Sequence, residues 1–379
     1  MYLYQKSNHY FAQVADDIKD IAEKEIISLG ARETRPTYRG ISFTADLKTL
    51  YNINYYSRLA SRILAPLIHF DCHSERYLYK IALQIKWEDF MDPSMTFAVF
   101  SSVANSSIKH SKYAALCLKD AIVDYFRERF SERPSVDTTQ PDLWFNLHIE
   151  NNEATISIDT SGGSLHRRGY RRNTVRAPMV ETLAAAIIQY SGWDGALPIY
   201  DPFCGSGTLL CEAYLYVTDT PSAVLRTKFG FERMPDFDKR SWDQVKSEAR
   251  EKFIKIPRGL ISGSDISQEA VRYSLNNFSV IDHDKIISVE KKDIFNIEGI
   301  NGKVIICNPP YGIRDGKNED LGEFYKRFGD FLKQKCSGST AYIYFGERKY
   351  IKYLGLKPSW KKPLSNGGLD GRLARYELY

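Results

Sequence analysis

The chain has 379 residues, 43% of them hydrophobic and 26% charged, with a formal net charge of +5. That length holds two or three domains that each bury a core, and the composition excludes a disordered or fibrous chain. No run approaches the roughly 18 apolar residues of a membrane span, and MYLYQKSNHYF lacks the basic and apolar regions of a signal peptide, so a cytoplasmic protein is expected.

Along the first 160 residues the pattern reads as α+β. VADDIKDIAEKEIISLG places apolar residues at 14, 18, 21, 22, 26 and 29, a helical stripe, with Gly30 where a terminating glycine belongs. Strand-like pieces follow, RGISFTA and the alternating YLYKIALQI among them. A second helix is expected over 111–130, closed before Pro134. WFNLHIE and ATISIDT then read as two strands joined by Asn151-Asn152, a hairpin turn signal. Nothing in this half gathers catalytic groups: His69, His73, His110 and His148 are scattered. The six cysteines (Cys72, Cys117, Cys204, Cys211, Cys307, Cys336) show no CxxC pair and no histidine at zinc-ligand spacing, so reduced, mostly buried thiols and no metal are expected.

The charge is unevenly spread. SGGSLHRRGYRRNTVR, residues 161–176, carries five arginines with no acidic residue. Arginine in place of lysine, beside a tyrosine, favours phosphate contact and stacking, which makes Arg167, Arg168, Arg171 and Arg172 candidate RNA-binding residues.

From about residue 180 apolar strand-like pieces (PIYDP, LISGSD, IISVEKKD, KVIICNPP, TAYIYFG) alternate with helix-like stretches (GTLLCEAYLYV, SQEAVRYSLNNF, FYKRFGDFLKQK), the signature of a mainly parallel α/β sheet. Ligands of such sheets sit beyond the carboxyl ends of the strands. At the first of those ends IYDPFCGSGTLL runs from a strand through Asp201 and Pro202 into a turn with Gly205 and Gly207, and Thr208 opens a helix. Glycine there permits close backbone approach of a ligand beside a helix N-terminus. The turn has neither GxGxxG spacing nor the lysine of a phosphate loop, and an acid before it suits a cationic centre or hydroxyls better than a pyrophosphate. Asp265 (GSD) stands where an acid accepts ribose hydroxyls, and Asp293 (KKD) where one accepts an adenine amino group; each also suits a helix cap. An excursion over about 219–257 must leave the sheet and return.

The most specific stretch is NPPYG after KVIIC. An exocyclic amine on a nucleobase is a poor nucleophile because its lone pair is delocalised into the ring. If the Asn308 side-chain carbonyl and the Pro309 backbone carbonyl each accept a hydrogen bond from the NH₂ group, the nitrogen pyramidalises and its lone pair turns towards an electrophile. Pro310 stiffens the bend, and Tyr311 offers a ring for a flipped-out base.

DPFCGSGT followed by NPPYG resembles the class I S-adenosylmethionine-dependent amino-methyltransferases. LHRRGYRRNTVRAPMVETLAAAII and KKPLSNGGLDGRLARYELY resemble the entry and the end of the catalytic domain of THUMP-containing RNA methyltransferases. The whole chain is similar to the 23S rRNA guanine-N2-methyltransferases. The resemblance implies a ferredoxin-like segment over 1–50, a THUMP RNA-binding domain over 51–162 and a Rossmann-like methyltransferase domain over 163–379. It implies S-adenosyl-L-methionine as cofactor, held by Asp201, Pro202, Phe203, Gly205, Gly207, Thr208, Asp265 and Asp293, with Asn308, Pro309, Pro310 and Tyr311 holding the target amine. It also sets Arg168 to Arg171 and Ala177-Pro178 over the cofactor pocket. Some relatives continue into a second methyltransferase half, and the end at Tyr379 sets the expectation of no fused second activity. The expected reaction is methylation of a guanine N2 amine in 23S rRNA, with tRNA guanine as the nearest rival. A DNA adenine methylase would share NPPY but gives no reason for the amino-terminal half. A nicotinamide oxidoreductase conflicts with the glycine spacing, and a non-catalytic RNA-binding module has no need of Asn308 and Tyr311.

Overall fold

The structure, a computed structural model, describes residues 1–175, 178–311 and 321–379. The chain folds as two compact units: residues 1–165 with 226–247, and residues 166–225 with 248–379.

The first unit is built on an eight-stranded sheet of order β2-β3-β1-β4-β8-β7-β5-β6. Its strands are β1 (His9–Gln13), β2 (Arg32–Thr37), β3 (Gly40–Thr44), β4 (Arg62–Asp71), β5 (Thr96–Ala104), β6 (Ser135–Val136), β7 (Leu143–Glu150) and β8 (Glu153–Asp159), and its helices are α1 (Leu3–Ser7), α2 (Lys19–Ser28), α3 (Leu47–Tyr56), α4 (Glu75–Ala82) and α5 (Ser111–Phe130). Strand β4 makes the sheet continuous: its first residues pair with β1 and most of its length pairs with β8. Pro66, which has no N–H to give, sits at the register shift between Pro66 and Ile68. The β7–β8 hairpin turns on Asn151 and Asn152, both with positive φ (51° and 62°), the left-handed pair that the sequence marks. Helix α2 ends before Gly30, whose φ of +107° meets the requirement of its closing turn.

The alternating stretch YLYKIALQI, expected as a strand, is corrected by the structure to helix α4. The Ser74 hydroxyl accepts from the Tyr77 N–H at 3.3 Å and caps the helix, and Leu78 and Ala82, one turn apart, are both fully buried. Four-residue spacing fits these two buried side chains as well as alternation does, and the cap decides for the helix.

The excursion packs into the first unit. Tyr51 accepts from the Asp238 N–H (2.9 Å), its ring lies 4.5 Å from Phe231 and 6.3 Å from Trp242, and the Tyr4 hydroxyl donates to Asp236 (2.7 Å). Gly230 passes so close to the end of β8 that a Cβ there would overlap the carbonyl oxygen of Asp159. Helix α8 (Lys239–Glu251) closes the excursion.

The second unit holds a seven-stranded sheet of order β11-β10-β9-β12-β13-β15-β14. It comprises β9 (Ile199–Asp201), β10 (Ile261–Asp265), β11 (Ser288–Lys291), β12 (Val304–Cys307), β13 (Thr340–Phe345), β14 (Trp360–Pro363) and β15 (Arg372–Glu377), with α6 (Glu181–Ser191), α7 (Thr208–Val217), α9 (Gln268–Phe278) and α10 (Leu321–Lys335). Strands β9 to β13 pair in parallel, and β15 runs antiparallel to both β13 and β14. The chain builds outward from β9 through β10 to β11, then returns to place β12 on the other side of β9. Strand order reverses there, and a crevice opens beyond the carboxyl ends of β9 and β12. Among the described residues no helix is long and apolar enough to cross a membrane.

Because the excursion belongs to the first unit, Gly230→Ala should destabilise the protein by about 1–3 kcal/mol through overpacking against backbone that cannot yield. Urea unfolding checks it; unchanged stability would mean that the backbone around Gly230 yields easily.

Candidate functional site

The glycine turn after β9 is shaped by what surrounds it. Gly205 and Gly207 have φ of +54° and +80°, a conformation that costs residues with a Cβ. A Cβ on Gly207 would also lie 2.5 Å from the Phe278 ring, and one on Gly263 would lie 2.7 Å from the Asp201 carbonyl oxygen. The turn is tied to the neighbouring strand by two hydrogen bonds: Cys204 N–H to the Ser264 carbonyl (3.0 Å) and Gly205 N–H to Asp265 Oδ2 (2.9 Å). Asp265 Oδ1 accepts from the Ser267 N–H (2.9 Å) where α9 begins. The Lys292 N–H donates to the Asp265 carbonyl (3.0 Å), which sets the end of β11 beside that of β10. One residue on, Asp293 Oδ1 accepts from the Phe295 N–H (3.0 Å) and caps a short turn.

A cavity at this turn is lined by Asp201, Phe203, Gly205, Thr208 and Asn308, together with Val175, Pro178 and Met179. Phe203 packs edge-on against Phe324 and Phe328 of α10, with centroids 5.7 and 5.2 Å away. Asp201 is 1% exposed and accepts from the Phe203 N–H (3.0 Å). Burial pushes its carboxyl up to about 8; the hydrogen bond opposes the shift and nearby Asp265 adds to it. Burial likewise holds the Cys204 and Cys307 thiols well above their ordinary range, so neither offers a thiolate nucleophile near neutral pH. Asn308 stands at the end of β12, and its Oδ1 atom is buried with no hydrogen-bond partner among the described residues. The next two peptides are fixed by Pro309 and Pro310, and the Tyr311 ring lies against Gly346, where a Cβ would come within 2.5 Å of it.

The arginine-rich segment divides in two. Arg167 and Arg172 are exposed, whereas Arg168, read from the sequence as an RNA contact, is 2% exposed and ion-paired with Glu212 of α7 (3.3 Å). The Tyr170 hydroxyl donates to the same carboxylate (2.9 Å). Arg171 is also turned inward. Its Nε lies 3.1 Å from Glu181, and its Nη2 donates to the Met179 carbonyl (2.7 Å) and to Thr208 Oγ1 (3.2 Å), which pins the segment to the start of α7 beside the cavity. A buried guanidinium needs such partners, since an unpaired one is prohibitively costly. Arg168 and Arg171 therefore hold the domain together and do not present their charge to a phosphate. Of Ala177-Pro178, expected over the cofactor pocket, Pro178 lines the cavity, and Ala177 and Arg176 lie outside the described residues.

Asn277 is the residue that the sequence reading missed. Its side chain, 1% exposed, accepts from the N–H groups of Arg172 (2.8 Å) and Asn173 (3.0 Å) and donates to the carbonyls of Asn173 and Ser206 (2.9 Å each). One amide thus joins the 172–173 segment to the glycine turn. The signal available was an asparagine, a weak helix former, on the buried face of an amphipathic helix.

Three family models match the chain: the RlmL ferredoxin-like domain over residues 9–64, the THUMP domain over 72–159 and the RMKL-like methyltransferase domain over 168–375. The chain belongs to the RMKL-like methyltransferase family. It is 38% identical to a Synechocystis protein that carries a provisional RNA-methyltransferase name, over 98% of this chain and 97% of that one. It is 36% identical to the ribosomal RNA large subunit methyltransferase K/L of Syntrophotalea carbinolica over 97% of this chain, and spans about half (53%) of that protein's length. A provisionally named methyltransferase solved in complex with SAH superposes with a TM-score of 0.84 at 25% identity, covering 98% of each chain. The cofactor of this methyltransferase is S-adenosylmethionine. The residues at the cavity fit it: a glycine turn without a phosphate-binding lysine, Asp201 at the end of β9 and Asn308 at the end of β12 line the same space.

Glu212→Gln removes the carboxylate charge paired with the buried Arg168 guanidinium and should cost about 3–5 kcal/mol of stability, read by urea unfolding; a loss under about 1 kcal/mol would mean that this pair contributes little. Asp201 is protonated both folded and unfolded at low pH, but as pH rises towards 8 only the unfolded chain ionises freely, so native stability is lost over that window. The unfolding temperature of ligand-free Asp201→Asn relative to the native chain should therefore climb from about pH 4 to about pH 8. A constant difference across the range would show that Asp201 is not held protonated.

Proposed function

We propose that this methyltransferase transfers a methyl group to the exocyclic N2 amine of a guanine in 23S rRNA. The observation that carries the reading is Asn308, which lines the same cavity as the glycine turn and whose amide oxygen is buried with no hydrogen-bond partner among the described residues. Such an acceptor is matched to an N–H donor that arrives with the substrate. The bound cofactor supplies an electrophilic methyl group on a sulfonium centre. Asn308 Oδ1 and the Pro309 carbonyl accept from the amine and turn its lone pair out of conjugation, and Tyr311 stacks on the extruded base. Nothing in this scheme draws on a cysteine nucleophile, in keeping with the raised Cys204 and Cys307 thiols.

Asp265 and Asp293, at neighbouring strand ends, are proposed to take the ribose hydroxyls and the adenine amine of the cofactor, with Pro202, Phe203, Gly205, Gly207 and Thr208 forming its cradle. The THUMP match and the exposed Arg167 and Arg172 support RNA as the substrate, gripped through phosphates. Ribosomal RNA is preferred over tRNA because the K/L relatives, matched along nearly all of this chain, carry large-subunit ribosomal RNA in their name.

The test is methylation of 23S rRNA and of tRNA in vitro, followed by nucleoside mass spectrometry. N2-methylguanosine from the 23S substrate is expected, and methylation confined to tRNA or to adenine would overturn the assignment. In single-turnover assays Asn308→Ala should lower the rate by about 100-fold or more with cofactor and RNA affinities nearly unchanged; a wild-type rate would remove Asn308 from the chemistry.

A further inference from the structure

We propose that Tyr325 is a positioning residue for methyl transfer: its hydroxyl, by holding the Pro310 carbonyl, keeps the Asn308 amide aimed into the site. The inference rests on the proposed role of Asn308 as acceptor of the target amine.

A buried acceptor without a partner costs free energy, and a loop free to move would turn it towards a donor or towards water. Among the described residues Asn308 Oδ1 is such an acceptor. Its persistence needs a constraint on the backbone that carries it. On the amino side the constraint is β12, paired on both edges, with Cys307 in register with Ile343 of β13. On the carboxyl side Pro309 and Pro310 fix φ but leave ψ and the direction of each carbonyl open. Tyr325 supplies what the prolines do not: its hydroxyl donates to the Pro310 carbonyl at 3.2 Å.

The tyrosine is itself immobilised. It is 0% exposed, on the inner face of α10, and its ring is stacked between Tyr350 (centroids 4.9 Å apart, planes 11° from parallel) and Phe345 (5.6 Å, 28°). Phe345 ends β13, and the next residue, Gly346, receives the Tyr311 ring. The loop is thus supported at adjacent points, Pro310 by a hydroxyl and Tyr311 by a glycine, and both supports lead into the core of the second unit. A misplacement on the order of 1 Å in such a loop is enough to cost about 100-fold in rate.

The experiment uses the full chain with Tyr325→Phe, which keeps the stacked ring and deletes one oxygen. Single-turnover methyl transfer, on whichever RNA the wild type methylates, should fall about tenfold or more. The affinities for S-adenosylmethionine and for that RNA should stay within about twofold, and the unfolding temperature should barely move. Amide hydrogen exchange of the ligand-free chain, read on a peptide covering 304–311, should be faster in the variant. An unchanged rate in Tyr325→Phe, unchanged exchange, or losses of affinity and thermal stability that parallel the loss of rate would overturn the positioning role. Failure of the guanine reading appears separately, in the identity of the wild-type product.

Discussion

The site depends on one carboxylate between two strands. Asp265, at the end of β10, accepts from the Gly205 N–H with one oxygen and from the Ser267 N–H with the other. The first bond fixes the glycine turn of the adjacent strand, and the second starts α9. Helix α9 carries Asn277, whose amide binds the Ser206 carbonyl in that turn and the backbone of residues 172 and 173. The carboxylate, the turn, the helix and residues 172 and 173 are therefore linked through side-chain-to-backbone hydrogen bonds, most of them partly buried. Bonds of this kind act as a network whose worth exceeds that of its members, because releasing one leaves buried polar groups unpaired. The strand reversal at β9 opens the crevice, and this network gives it a fixed floor.

Charge is used in two opposed ways within ten residues. Arg168 and Arg171 are turned inward onto Glu212 and Glu181, while Arg167 and Arg172 face solvent. Arg168 and Arg171 lie three positions apart, so strand alternation cannot turn both inward; their carboxylate partners Glu212 and Glu181 do. Composition shows a basic stretch, but it does not show which guanidiniums have carboxylate partners elsewhere in the sequence. Glu212 was the available clue: a lone acid in the apolar helix TLLCEAYLYV must find a cation or stay neutral.

Other features separate by the same logic of local against distant causes. The Asn151-Asn152 hairpin, the extent of α5 and the order of strands and helices after residue 180 were legible because each rests on nearby residues: positive-φ turn formers, apolar spacing and glycine after a strand. The glycine turn and NPPY stood out as candidate site motifs, and the structure brings Asp201, Phe203, Gly205, Thr208 and Asn308 to one cavity. The identity of α4 was not legible, because its eight residues satisfy two periodicities at once and the Ser74 cap decides between them. The packing partner of residues 226–247 was also hidden, being set by Tyr4 and Tyr51, 232 and 187 residues before the groups they bind. The antiparallel β14–β15 pair escaped notice for a different reason: β14 is a short edge strand whose lysines resemble a solvated loop and also protect the edge.

The unpaired oxygen of Asn308 is where these constraints meet function. Folding ordinarily leaves no buried acceptor without a donor, and a chain that could relieve one at low cost would do so. Here relief is blocked by β12 on one side and, on the other, by two consecutive prolines with the second carbonyl held by Tyr325. In the proposed reaction, the reorientation that water would make while an amine loses its conjugation is already made in the folded chain, so it does not recur at each turnover. The unsatisfied group is also isolated: β12 and β13 pair without a register shift, and the aromatic rings of Phe345, Tyr325 and Tyr350 pack together in the core. A site that works by orientation needs this contrast, a rigid and satisfied support beneath a single group left unsatisfied for the substrate.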